Sequence, residues 1–240
     1  MIQKFLGKKT SDYSKGNAKS LDPILRKPSD IIYGIDYWNA YEFSYIDHNS
    51  MPVLKVLEIK IPSDSLKTVE SKSLKIYLNS FYKKKFSNTK GVFSKIKKDL
   101  DKVTQSNVQV SFIKSFKSKP LCIDINTSKL ISSKANAPIC FIGFRSICPV
   151  TSQPDFANIY IVSDTKINLK WLKSYLKSYR EKGEFHEQCI EDIFNAVMKK
   201  YASCKLEVAG RFMRRGGIDI NPVRSTHKKL LFNNFRFFNQ

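Results

Sequence analysis

"LKIYLNSF" (residues 74–81) and "LKSYLKSY" (172–179) share the pattern Leu-Lys-x-Tyr-Leu-x-Ser-aromatic. Leu74, Tyr77, Leu78 and Phe81 fall at helical spacing in the first copy, and Leu172, Tyr175, Leu176 and Tyr179, with Leu169 ahead of them, in the second. One echo could be chance, so the elements around each copy decide the fold. Leu57, Ile59 and Ile61 alternate with Glu58 and Lys60, which predicts a half-buried strand over 53–62; "DYWNAYEFSYID" (36–47) predicts another. After the first echo, Val92, Phe93, Ile96, Leu100 and Val103 predict a second helix, and Val108, Val110 and Phe112 return to alternation. The second copy repeats the order. "PICFIGFRSIC" (138–148) and "FANIYIVSD" (156–164) read as strands, Ile190, Ile193, Phe194, Val197, Met198 and Tyr201 as the next helix, and Leu206, Val208, Gly210 and Phe212 as a strand. "IDINPVRS" (218–225) closes the unit, with Pro222 suggesting an edge or a strand end. The fold expected is α+β, in tandem copies of one module, with antiparallel sheets and paired helices on one face. The expected division is an N-terminal arm over 1–30, a first module over 31–137, a second over 138–225 and a C-terminal tail over 226–240.

No Gly-x-Gly-x-x-Gly follows a strand, so a Rossmann nucleotide site is not indicated. Of 240 residues, 42% are hydrophobic, enough for a sizeable core, yet no apolar run is long enough to span a bilayer. "MIQKFLGKKTSDYS" lacks the continuous apolar stretch of a signal peptide, and a cytoplasmic protein is expected. Cys122, Cys140, Cys148, Cys189 and Cys204 are odd in number, irregularly spaced and contain no C-x-x-C. That argues against a disulfide framework and a zinc ribbon. The net charge of +21 attracts polyanions, so RNA or DNA has to be considered. Its lysines are scattered, however, and "YKKKF" (82–86), "KIKKDLDK" (95–102) and "MKK" (198–200) lie on or beside predicted helices. A solvated lysine face accounts for them at least as well as a binding stripe.

Four polar groups exceed what core packing asks for. In "SICPVTSQPD" (146–155), Cys148 is followed by Asp155 across a loop bounded by Pro149 and Pro154, expected to be stiff and extended. Cys148 is either a strand-end cysteine packed as a small hydrophobe or a nucleophile with Asp155 as proton donor. In "EFHEQC" (184–189), His186 and Glu187 fall in the first turn of a helix, as a surface pair or as ligand contacts. His186 and Cys189 lack a third and fourth metal ligand at recognisable spacing, so no metal is expected. "RRGGID" (214–219) is either a plain glycine hairpin turn or a backbone cradle with arginines for phosphate. In "ESKS" (70–73), Glu70 and Ser71 sit at a helix entry beside Lys72 and Lys75, suited to an anion or to ordinary capping.

"ESKSLKIYLNSF" resembles the signature motif of the NADPH-dependent 7-cyano-7-deazaguanine reductases, the nitrile reductases of queuosine biosynthesis. "YGIDYWNAYEFSYID" (33–47), "CPVTSQPDFANIYI" (148–161), "EFHEQCIEDIFN" (184–195) and "RRGGIDINPVRS" (214–225) resemble the family in the expected order. The resemblance implies two tunnelling-fold (T-fold) modules and a homodimer. It implies that Cys148 attacks the nitrile to give a thioimide and that Asp155 donates the proton. Val69, Glu70, Ser71, His186 and Glu187 would bind the substrate, and Ser71, Lys72, Arg215 and Gly216 would hold NADPH, with neither metal, membrane nor nucleic acid required. The tail "THKKLLFNNFRFFNQ" (226–240) has no counterpart in that pattern. Two other readings use the same fold: a basic RNA-binding protein, and an amidine-forming enzyme acting on the nitrile in tRNA. The complete "ESKS" argues against the latter.

Overall fold

The computed structural model describes residues 16–28 and 33–240, so most of the expected N-terminal arm lies outside the described residues. The chain divides into two compact units. Unit 1 holds the described residues up to 28 with Trp38–Ser115 and Arg215–Ile218; unit 2 holds residues 33–37 with Phe116–Arg214 and Asp219–Gln240. The expected boundary at 137/138 is not where they part. Residues 116–137 belong to unit 2 because β6 (Ile123–Asp124) pairs parallel with β7 (Ile139–Ile147) and the Asn126 side chain bonds both the N–H and the carbonyl of Ile142.

In unit 1, β1 (Pro23–Leu25) pairs antiparallel with β4 (Lys67–Val69), and the main strands run in the order β5 (Gln109–Ile113), β3 (Pro52–Pro62), β2 (Tyr33–Ile46). The strand residues Leu57, Ile59 and Ile61 are fully buried, as are Leu74, Tyr77 and Phe81 of the first echo and Val92, Ile96 and Leu100. These last residues belong to α1 (Ser71–Asn79) with its 3₁₀ turn Ser80–Lys83, and to α2 (Thr89–Thr104). Leu57, Ile59 and Ile61 bury one face of β3 because a strand's side chains alternate with period two; the helices bury one stripe at their own period. Lys95 and Lys97 pair with Asp99 and Asp101 one turn on; Lys97–Asp101 lies on the solvated face that the lysine runs suggested, whereas Asp99 is buried and also accepts from the Tyr77 hydroxyl.

Unit 2 has the strand order β10 (Ile218–Ser225), β9 (Leu206–Phe212), β8 (Pro154–Ser163), β7, β6. Its helices are α3 (Leu169–Lys177), continued by the 3₁₀ turn Ser178–Glu181, and α4 (His186–Lys200). Leu206, Val208 and Phe212 join Phe144, Ile159, Leu172, Ile190 and Val197 in the core under the helices. A side chain at Gly210 would meet Ile190 Cδ1 at 2.8 Å, so only glycine lets α4 settle this close to β9.

The two echoes form the same structure down to single bonds. Ser80 Oγ donates to the Tyr77 carbonyl at 2.7 Å and Ser178 Oγ to the Tyr175 carbonyl at 2.8 Å. Each helix tightens there into its 3₁₀ turn. Lys84 then reaches Ser80 and the Phe81 ring, and Lys182 reaches Ser178 and the Tyr179 ring. The octapeptide is a helix-terminating device used twice.

Two expectations change. Pro222 does not mark a strand end: it lies inside β10, with strand on either side of it. The proline is tolerated because the β9–β10 register runs only over Val223–Ser225 and stops beside it. The tail, in turn, covers the face of the unit 2 sheet opposite the helices. Phe232 and Phe235 pack on Tyr37, Cys140, Tyr160, Ala209 and Val223. Between these apolar contacts lie two buried charges of β9. Glu207 accepts the N–H groups of Phe232 and Leu231 at 2.6 and 2.9 Å, and the Arg211 guanidinium donates to the carbonyls of Phe232 and Asn233 and lies over the Phe235 ring. Burial lowers the Arg211 pKa to about 10.

Burial also raises the Glu207 carboxyl above its ordinary value, against the opposing pull of the Phe232 and Leu231 N–H groups, His227 and Arg211. The native carboxyl therefore keeps its proton to higher pH than the same group in the unfolded chain. The native state binds more protons across that window, and raising pH through it costs stability. Between pH 4.5 and neutrality, wild type is expected to lose stability relative to Glu207→Gln, as urea titrations at a series of pH values would show. Parallel curves for the two proteins would refute this.

Candidate active site

The duplication supplies an internal comparison for the site residues. In unit 1 the Ile46 N–H donates to the Lys84 carbonyl and the Ile46 carbonyl accepts from Phe86; in unit 2 Ile147 does the same with Lys182 and Glu184. The next residue is Asp47 in one unit and Cys148 in the other. Asp47 Oδ1 accepts the N–H groups of Asn49 and Met51, both at 2.9 Å, so its side chain builds the turn. Cys148 makes its turn with backbone alone: its N–H donates to Gln153 and its carbonyl accepts from Ser152, at 2.9 and 3.0 Å. The thiol is left over for other use. The 148–154 loop is thus a closed hairpin, not the extended loop expected, because Ser152 turns the chain at φ 55°.

The helix starts differ in the same way. Two residues beyond Phe86, Asn88 caps α2 through a 2.9 Å bond to the Gly91 N–H; two residues beyond Glu184 stands His186, the first residue of α4, whose N-cap Phe185 offers no side-chain bond. Asn168 caps α3 in the ordinary manner, while α1 is capped by Glu70. Where one copy has a common capping residue, the other has Glu70 or His186.

In unit 2 the strand register sets Ser146 opposite Asp155, so Asp155 stands two strand positions from Cys148 on the neighbouring strand. For such diagonal neighbours the Cα separation is roughly 7–8 Å. The bonds of Ile147 to Lys182 and Glu184 fasten the start of α4 beside the same strand end. His186 Nε2 lies 3.3 Å from Asp155 Oδ2, and its ring stacks on Phe212 with centroids 3.9 Å apart and planes 7° apart. Asp155 and Glu187 are buried, and His186 Nδ1 is buried with no hydrogen-bond partner. The structure brings Cys148, Asp155 and His186–Glu187 to one end of the sheet. Among the other cysteines, burial pushes the Cys189 thiol up to about 12 and raises those of Cys140 and Cys204. Cys148 is half-buried. Among the described residues, no three His, Cys, Asp or Glu side chains gather as a metal site, and no helix is long and apolar enough to cross a membrane.

In unit 1, Glu70 is 1% exposed, and its two oxygens accept the N–H groups of Lys72 and Ser73, each at 2.7 Å. Ser71 Oγ reaches Glu70 Oε1 at 3.3 Å, and Val69 is buried in β4. The capping reading of "ESKS" therefore holds for Glu70, though glutamate is not a preferred N-cap. "RGGI" is a two-residue hairpin turn with Gly216 at φ 54° and Gly217 at φ 78°, a combination natural to glycine, closed by a bridge from Arg215 to Ile218. A Cβ at Gly216 would sit 3.0 Å from Lys75 Nζ, which places the end of the Lys75 side chain against the turn. Lys75 and Arg215 thus put two basic side chains at this turn, and the Glu42 carboxylate lies beside Gly217.

Two contributors escaped the sequence reading. Arg224 is fully buried and bonds Asp36 at 2.7 Å and Glu191 at 2.7 and 3.0 Å. Burial opposes its charge, but the two carboxylates outweigh it and raise its pKa. Glu191 lies one turn beyond Glu187, so this cluster holds the helix that presents the His-Glu pair. A carboxylate between Ile190 and Ile193 on an apolar face was the available signal. Phe212, the stacking partner of His186, gave none, since its alternation marks it as core.

Residues 18–112 match the family model described as "Nitrile reductase, 7-cyano-7-deazaguanine-reductase N-term", and 154–230 match that of the "QueF-like protein". These define the class: two T-fold modules of the nitrile reductase type. An NADPH-dependent 7-cyano-7-deazaguanine reductase of Coxiella burnetii (strain Dugway 5J108-111) is 34% identical over 93% of this chain and 87% of its own. One from Buchnera aphidicola subsp. Schizaphis graminum is 37% identical over 80% and 82%, and one from Polaromonas sp. (strain JS666 / ATCC BAA-500) 33% over 98% and 97%. The chain belongs to the NADPH-dependent 7-cyano-7-deazaguanine reductase family.

Proposed function

We propose that the protein reduces 7-cyano-7-deazaguanine to 7-aminomethyl-7-deazaguanine with NADPH, through a thioimide on Cys148. The observation that carries this reading is the half-buried Cys148 beside the buried Asp155 and His186, at a position where the other repeat has a turn-building aspartate. A nitrile is a poor hydride acceptor. Addition of the Cys148 sulfur to its carbon forms an S–C bond and places a proton, supplied from Asp155, on nitrogen, giving an electrophilic C=N centre. NADPH supplies a hydride at each of two stages. After the first, the C–S bond breaks and the thiol returns to Cys148, leaving an imine that the second hydride and a proton convert to the amine.

His186 and Glu187 hold the deazaguanine, with Val69, Glu70 and Ser71 as further contacts. Glu70 at a cap position where asparagine would suffice supports that role. Ser71, Lys72, Arg215 and Gly216 hold NADPH, supported by the two basic side chains at the glycine turn. The enzyme acts as a cytoplasmic homodimer. Five free thiols accord with that compartment. The family supports the enzyme over an RNA-binding role.

The test is stoichiometric. Purified protein is expected to oxidise two equivalents of NADPH per nitrile, followed at 340 nm and by product mass. Folded protein that leaves both compounds unchanged would overturn the reading.

A further inference from the structure

Gln240 makes a contact that leads back to the catalytic cluster. The β9–β10 register stops at Val223↔Ala209, and the next residue of β10 is Pro222, which has no N–H. Beyond that point, side chains serve the main chain of Phe212. Its N–H donates to Asn221 Oδ1 at 3.1 Å, and its carbonyl accepts from Gln240 Nε2 at 2.9 Å. The same Nε2 donates to Asn221 Oδ1 at 2.9 Å, Asn221 Nδ2 donates to Asp219 Oδ1 at 2.6 Å, and Gln240 Oε1 accepts the Phe237 N–H at 2.8 Å. Gln240, Asn221 and Asp219 are all buried.

We propose that Gln240 is a positioning residue for the His186–Asp155 pair and acts through Phe212. Phe212 is fully buried, and its ring lies parallel to His186 at 3.9 Å, while the imidazole Nε2 lies 3.3 Å from Asp155 Oδ2. On one side β9 is held by its register with β8, through Ala157↔Phe212. On the other, at this level, Asn221 and Gln240 take the place of the ladder. The site asks one side chain for a donor toward two oxygens and an acceptor toward an N–H. A carboxamide offers both in one plane, whereas a carboxylate would set oxygen against oxygen.

The experiment compares Gln240→Ala and Gln240→Glu with wild type, and with Phe238→Ala, whose side chain is 89% exposed, as control. The first readout needs no ligand: the nitrogen-15 signals and titration of His186, with His48 as internal reference. Both Gln240 variants are expected to shift His186, glutamate more than alanine, with His48 and the control unchanged. The second rests on the function proposed above: single-turnover formation of the Cys148 adduct. It is expected to slow about tenfold in Gln240→Ala with little change in nitrile affinity, as misplaced groups cost rate more than binding. His186 signals equal to wild type in both variants would overturn the proposal; slowed turnover with unaltered His186 would do so too, reducing the tail to a structural cover. Wild type that forms no adduct would refute the proposed function alone, while the His186 signals still decide this inference.

Discussion

Replacing Cys148 with alanine is expected to lower nitrile-dependent NADPH oxidation by about a thousandfold or more, because removing the nucleophile from a covalent mechanism removes the path and not one contact along it. The sharper observation is the mass of the intact protein mixed with nitrile alone. Addition to C≡N expels no leaving group, so wild type should gain the full mass of the nitrile, and peptide mapping should place it on residue 148. Cys148→Ala should gain nothing, and Cys122→Ala should behave as wild type. Asp155→Asn keeps the shape but cannot give up a carboxyl proton, and a loss of about a hundredfold or more is expected for it. Turnover by Cys148→Ala near the wild-type rate would end the thioimide mechanism.

The second large effect concerns stability. Arg224→Met takes from the buried Asp36 and Glu191 carboxylates the cation that they share. Breaking a buried pair by removing one partner costs about 3–5 kcal/mol, most of it the stranded charge. For a chain of this size that is roughly 10 °C or more in Tm. Adding Asp36→Asn and Glu191→Gln to Arg224→Met removes the stranded charges and is expected to recover most of the loss. Equal melting of wild type and Arg224→Met would show that the cluster carries no net load. A triple variant as unstable as the single would assign the cost to lost shape. Because Glu191 is on α4, the single variant should also weaken nitrile binding before it unfolds.

Element type was legible wherever one face of a strand or helix is apolar. The alternation at Leu57–Ile61 and the helical spacing at Leu74–Phe81 each admit one assignment, and the strands and helices follow them. Ends and partners were less legible. The proline pair around Cys148 suggested extension, yet the backbone closes a hairpin through Ser152, a residue with no sequence mark for positive φ. Pro222 read as an edge or a strand end because proline lacks an N–H, a local fact that cannot report how far the strand runs.

The amino-acid order by itself determined that two like modules exist and which strands and helices build them, and it singled out polar groups beyond what core packing asks for. Each of those follows from patterns within a few residues, periodicity above all. Only the tertiary structure decided that Phe212 supports His186, that Arg224 joins Asp36 to Glu191, and that the tail closes a sheet face and brings Gln240 to Phe212. These partners are far apart along the chain, and a buried charge or amide is satisfied by whatever the fold brings within three ångströms, which no local pattern encodes.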